Sequence, residues 1–245
     1  MQFPRGKYHK LLPKDPLKNL RLRLAILKAA QSNKVIQRGL MEMCRQDVLF
    51  FINLFAFQIN PELMEKGPFI SWPYQDIAIL GGETEIGGQK VFQHGLLACV
   101  EDREDVRWPK SRDGGASWVV LLVIFWLCNF HDNIQAGAIS RDEESVDKLG
   151  DPNSLFEKIR VIKKHLPDWM SRVTVDKKCN FQWKNGNTLN GEANVASAEV
   201  GGRLTILLID EFGQFDKNGE MIFNFTRDVC KCRVFVFTHK DQTGM

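Results

Sequence analysis

Two apolar periodicities run along the chain, and they exchange near residue 95. From Leu17 to Ala56 hydrophobic residues recur at helical spacing: Leu20, Leu24 and Leu27 mark one stripe, and Val48, Phe51, Ile52 and Phe55 another. The spacing predicts two helical segments broken near Arg38-Gly39. Gly67-Pro68 and Gly81-Gly82 punctuate a loop-rich region around Trp72-Pro73-Tyr74-Gln75. Beyond it, short apolar runs alternate with helical stretches. Leu96–Val100 and Val106–Trp108 read as strands, Ser117–Asn129 as a helix and Asn133–Ser140 as the next strand. Asp151-Pro152 opens a helix as N-cap and first residue, with Leu155, Ile159, Ile162 and Leu166 on one face. Asn185-Gly186, inside the alternating stretch Phe181–Asn190, is a hairpin signal. Leu204–Ile209 and Arg233–Thr238 are continuous apolar strands of the kind buried in parallel sheets. Such alternation predicts an α/β fold, a mainly parallel sheet flanked by helices, behind an N-terminal helical subdomain. The expected organisation is a basic extended arm over 1–16, helices over 17–66 and the α/β core over 67–245.

Charge sharpens this picture at one end. Residues 1–40 hold ten Lys/Arg against the single acid Asp15, so a net +9 segment precedes a body of net −6. Such an arm either meets phosphate or an acidic partner, or stays a solvated terminus; composition leaves both open. The most apolar run, Trp118–Phe130, carries no charge but falls short of the ~20 residues a membrane span requires, and reads as core. Six cysteines show no paired metal spacing, and no signal peptide is evident, so a reducing cytoplasm is expected.

The candidate chemistry sits at two strand ends. Lys110-Ser111-Arg112-Asp113-Gly114-Gly115-Ala116-Ser117, followed by Trp118, lies between a strand and a helix. The common phosphate-binding pattern is G-x-x-x-x-G-K-[ST]. Here Gly115 and Ser117 align, Ala116 stands at the lysine and Lys110 at the first glycine. As chemistry most parts remain: Gly114 and Gly115 let backbone N–H groups approach an anion, Ser117 offers a hydroxyl to Mg2+, and the helix start aims its positive end at phosphate. Lys110 or Arg112 would supply the missing charge. The second strand, Leu204–Ile209, ends in Asp210-Glu211, a metal-binding acid followed by a candidate base for the attacking water. A third strand ends at Thr238, where a polar group can sense the γ-phosphate.

With these residues assembled, the chain resembles the ATPase domain of tailed-phage large terminase subunits from about Cys44 onward. KSRDGGASW looks like that family's variant Walker A loop, ILLIDEFGQFD like its Walker B strand, Gly201-Gly202-Arg203 like its arginine-bearing stretch and FTHKDQTGM like the start of its coupling motif. PFISWPYQ, with Gln75, sits where the family reads adenine, and Tyr74 or Trp72 could stack there. The resemblance implies a P-loop NTPase of the RecA-like ASCE type that hydrolyses ATP with Mg2+ to translocate double-stranded DNA into a procapsid. Implied roles follow: Lys110 and Arg112 on phosphate, Ser117 and Asp210 on Mg2+, Glu211 on water and Thr238 in coupling. Arg203 is the first candidate for an arginine finger acting on a neighbour's ATP, and Arg141 the second. The implied partners are DNA, a portal protein, a small terminase subunit and further copies in a ring, with a monomer in isolation and no membrane. The implied place is the host cytoplasm at the procapsid portal. The family's nuclease domain has no counterpart here, and no nuclease activity is expected. Two other readings remain at this point: another nucleic-acid-dependent, helicase-like ATPase, and a non-hydrolysing scaffold that binds DNA or protein. Against the scaffold stands Glu211, which an inactive site does not need.

Overall fold

The computed structural model describes residues 2–60, 65–86, 88–110, 114–193, 203–215 and 219–238. The helical region consists of α1 (Pro16–Ala30), α2 (Lys34–Gln46) and α3 (Val48–Phe55). Asp15 caps α1 by accepting from the Lys18 N–H at 2.8 Å, with Pro16 in the first turn. The break expected near Arg38-Gly39 falls instead at Asn33, whose side chain accepts from the N–H groups of Val35 and Ile36 and so starts α2. Gly39 lies exposed within α2, where a missing side chain costs little.

Residues 2–15 lie on the body. Phe3 and Leu12 are buried in the main core, and Arg5 pairs with Glu101 at 2.8 Å. His9 bonds the carboxylate of Asp47, which also caps α3. Lys14 donates to the Ser71 carbonyl and hydroxyl, each at 2.9 Å, and to Asp76 at 3.0 Å. Arg23 of α1 is 2 % exposed. It donates to Asn19 Oδ1 (2.6 Å) and to the carbonyls of Ala56 (2.6 Å), Asn53 (2.8 Å) and Phe69 (2.9 Å), and stands over the Phe57 ring.

An antiparallel ribbon, β1 (Phe57–Asn60) and β2 (Glu65–Pro68), leads to α4 (Pro73–Leu80). A hairpin of β3 (Gly82–Ile86) and β4 (Gln89–Gln93) follows, then α5 (Leu96–Asp102). The strand expected over Leu96–Val100 is thus a helix. Leu96, Leu97, Cys99 and Val100 are buried together, and that spacing fits one helical face as well as a short buried strand.

The main sheet is built from β5 (Val106–Lys110), β6 (Gln135–Ser140), β7 (Val173–Lys177), β8 (Asn180–Trp183), β9 (Thr188–Ala193), β10 (Ile206–Ile209) and β11 (Arg233–Thr238). Its spatial order is β5-β11-β10-β6-β9-β8-β7. The first five strands run parallel, and β8 and β7 add an antiparallel margin. The β8–β9 turn contains Gly186 at φ +81°, the left-handed conformation a tight Asn-Gly turn requires. Helix α6 (Ala116–Phe130) is buried along its whole length, so its uniformly apolar sequence is that of a central helix. Helix α8 (Leu155–His165) packs beside it, α7 (Glu143–Val146) lies against β6 and β9, and α9 (Gly219–Val229) covers the other face of the sheet, where Ile222 joins Ile139, Leu207 and Phe235. Helix α8 begins one turn later than Asp151-Pro152 suggests, with Ser154 as its N-cap. Asp151 instead accepts from the Asn153 N–H in the preceding turn. This is the α/β architecture that the alternation implies. No described helix is long and apolar enough to cross a membrane.

Candidate active site

Parallel pairing brings the C-terminal ends of β5, β11, β10 and β6 to one edge of the sheet. Thr238 faces Lys110 across the β11–β5 ladder, and Ile209 faces both Phe235 and Ile139. In open α/β sheets that edge is where ligands bind. Lys110 is the last residue of β5, Asp210 follows β10, and Ser117 lies in the first turn of α6.

These three side chains meet. The Ser117 hydroxyl stands 2.9 Å from both carboxylate oxygens of Asp210, and the Lys110 ammonium is 3.3 Å from Ser117 Oγ and 3.7 Å from Asp210 Oδ1. Ser117 and Asp210 are both 7 % exposed, so the pair is held in a largely water-excluded spot. One hydroxyl and one carboxylate side by side, at the start of a long helix, form an oxygen donor set of the kind Mg2+ takes. Gly115 caps α6 at φ +69°, a conformation that favours glycine. A Cβ there would lie 3.1 Å from Gln75 Nε2. Ala116 is buried, and Trp118 is packed into the core. Ser111, Arg112 and Asp113 lie outside the described residues.

The Trp72–Gln75 segment reaches the same loop. Tyr74 donates its hydroxyl to the Gly114 carbonyl at 2.9 Å, and Gln75 Nε2 lies 3.4 Å from that oxygen. Gln75 Oε1 accepts from the Trp72 N–H at 3.0 Å, closing the first turn of α4. The Gln75 amide is therefore spent on the chain's own backbone. The rings of Trp72 and Tyr74, 66 % and 51 % exposed, are open to solvent beside the loop.

Glu211 adopts φ +54°, unusual for a residue other than glycine, and opens a short 3-10 turn, Phe212–Gln214. Its Oε2 is buried and makes no hydrogen bond among the described residues; Arg141 Nε faces it at 3.4 Å. Arg141 follows β6 directly and also donates to Gln214 Oε1 at 2.8 Å. The structure thus brings Arg141 to the acidic pair. Arg203 stands elsewhere. It is exposed and precedes β10, so six residues of near-extended chain, roughly 20 Å, separate it from Asp210. It lies toward the opposite edge of the sheet from the chain's own site. Gly201 and Gly202, and the residues after Thr238, lie outside the described residues.

No protein-family model matches the sequence, and no curated protein does. Solved structures are more informative. The large terminase of bacteriophage HK97 superposes with a TM-score of 0.53 at 14 % identity, covering 78 % of this chain and 36 % of that one. The large terminase ATPase domain of Thermus phage P74-26 gives 0.38 at 13 % identity over 57 % of this chain and 61 % of its own. A large terminase from another thermophilic bacteriophage, determined with ADP, gives 0.40 at 12 % identity over 56 % and 34 %. The chain spans little more than a third of the HK97 protein's length. Over that span it has the fold of a phage large terminase.

Proposed function

We propose that the chain is an ATPase, the nucleotide-hydrolysing part of a terminase-like motor. One observation carries the reading. A strand-end lysine, a helix-start hydroxyl and a carboxylate just past a second strand converge at the parallel edge of the sheet, with a second carboxylate next in sequence. Lys110, with Arg112, would neutralise phosphate charge in place of the lysine that Ala116 replaces. Ser117 and Asp210 would hold Mg2+, which supplies charge neutralisation at the β- and γ-phosphates. Glu211 takes a proton from water while the water oxygen bonds the γ-phosphorus and the bond to the β–γ bridging oxygen breaks, leaving ADP and phosphate. Tyr74 and Trp72 would flank the base, and Thr238 would report the phosphate state.

In this reading the work done is translocation of double-stranded DNA into a procapsid. Copies would act in a ring with a portal protein and a small subunit, at the portal in the host cytoplasm. Arg203, exposed and far from its own Asp210, suits a finger offered to a neighbour. Arg141, already at Glu211, suits a role within one chain.

The test is phosphate release from ATP with and without Mg2+ and with and without double-stranded DNA. Release that needs the metal supports the reading; a chain that neither releases phosphate nor binds ATP overturns it. Replacing Lys110 with alanine should weaken ATP binding by about tenfold or more, the loss of one charge-assisted contact. Unchanged affinity in a titration would remove Lys110 from the site.

A further inference from the structure

Helix α8 follows β6 by way of α7 and packs against α6, the helix whose first turn carries Ser117. The fourth residue of that helix is Lys158, only 8 % exposed. Its ammonium donates to the carbonyls of Asn153 and Ser154, the latter at 3.4 Å. An ammonium has three protons to donate, and the third has no partner among the described residues. Burial lowers the group to about 8, and the charges that act on it are Asp210, Lys110, Asp151 and Glu211.

Stability does not account for a lysine here. A cation in the first turn opposes the helix dipole, and a buried ammonium with no carboxylate in contact among the described residues gives up much of its hydration. Ser154 O already accepts the Lys158 N–H, so it needs no second donor. Methionine would fill a similar space without either cost. Perturbed, buried charges beside a polar cleft belong to functional sites more often than to cores.

We infer that Lys158 is a phosphate-binding residue of this site, supplying from the β6 side part of the positive charge that Ala116 removes from the loop. The inference rests on the ATPase reading above and adds a residue to it. Lys110 ends β5, Lys158 stands on the helix that follows β6, and Asp210 follows the strand that lies between those two in the sheet.

The test compares ATP with AMP, which shares the base, the sugar and one phosphate. Calorimetric titrations of the wild-type chain, Lys158→Met and Lys158→Gln give the ratio of the two affinities. Glutamine keeps a donor for the Asn153 and Ser154 carbonyls while dropping the charge, so it reports even where methionine disturbs folding. Expected is a loss of about 10- to 100-fold in ATP affinity with AMP affinity nearly unchanged, the size of one charge-assisted contact. A wild-type ATP-to-AMP ratio in the glutamine variant, or equal weakening of both ligands, assigns Lys158 to scaffolding and overturns the inference while leaving the ATPase reading intact. A wild-type chain that binds no ATP overturns that reading, and this one with it.

Discussion

Exchanging Glu211 for glutamine is expected to lower ATP turnover by about 10²- to 10⁴-fold, the usual contribution of a general base, with ATP affinity almost unchanged. The two carboxylates of the pair divide the labour by environment. Asp210 is engaged with Ser117 and Lys110, whereas Glu211 Oε2 makes no hydrogen bond among the described residues. A carboxylate oxygen shielded from bulk water, facing Arg141 but accepting no hydrogen bond among the described residues, is suited to act as a base for an attacking water. Glutamine keeps the shape, and Arg141 retains an oxygen to face, so binding should survive while proton transfer does not. Single-turnover phosphate release, set against equilibrium ATP binding, separates the two effects. Turnover in the variant within a few-fold of wild type would remove Glu211 from the mechanism.

Arg23→Ala is expected to cost about 3–5 kcal/mol of stability, visible as a lower urea midpoint and a melting temperature reduced by roughly 10 °C. The guanidinium ties α1 to the end of α3 and to Phe69 through one side-chain and three backbone acceptors. Two of those carbonyls keep another donor when Arg23 is gone: Asn53 O has Asn19 Nδ2 and Ala56 O has the Phe69 N–H. Phe69 O has no other donor among the described residues, and the alanine leaves a void beside the Phe57 ring. Burial opposes the charge itself, lowering the group to about 9, so the gross value of its bonds exceeds the net. A variant within about 1 kcal/mol of wild type would show that desolvation cancels those bonds. Lys14 braces the neighbouring Ser71 and Asp76, so the basic N-terminal stretch acts as a strut behind the Trp72–Gln75 segment.

Much of the core could be read from the sequence, because its elements are continuous apolar runs. Helix α6 and strand β10 are buried throughout and β11 over its first four residues, and no competing pattern disturbs them. The convergence of Lys110, Ser117 and Asp210 was also legible, since strand ends and helix starts in a parallel sheet share an edge. Short and punctuated stretches were harder. Leu96–Val100 satisfies both periods, and Gly39 looks like a breaker although its exposed place in α2 tolerates it. Asn33 ends the ambiguity only through a side-chain cap. Arg23 and Lys158 were invisible, because in one dimension a charged residue on a helix reads as solvent-facing. Only tertiary packing shows the carbonyls that receive them.

The strand order also sets a schedule for the growing chain. Strand β11 is inserted between β5 and β10, and Asp105, just before β5, bonds Arg233 across 128 residues. At about 5–20 residues per second, a ribosome needs roughly ten seconds to travel that distance. Meanwhile β5 has no sheet neighbour, and its unpaired backbone groups are open to other nascent chains. The edge that unites the end of β5 with the acidic pair closes only when β11 arrives. A ribosome-bound intermediate that lacks this strand has every candidate side chain from Lys110 to Glu211, but no strand to join the end of β5 to the end of β10.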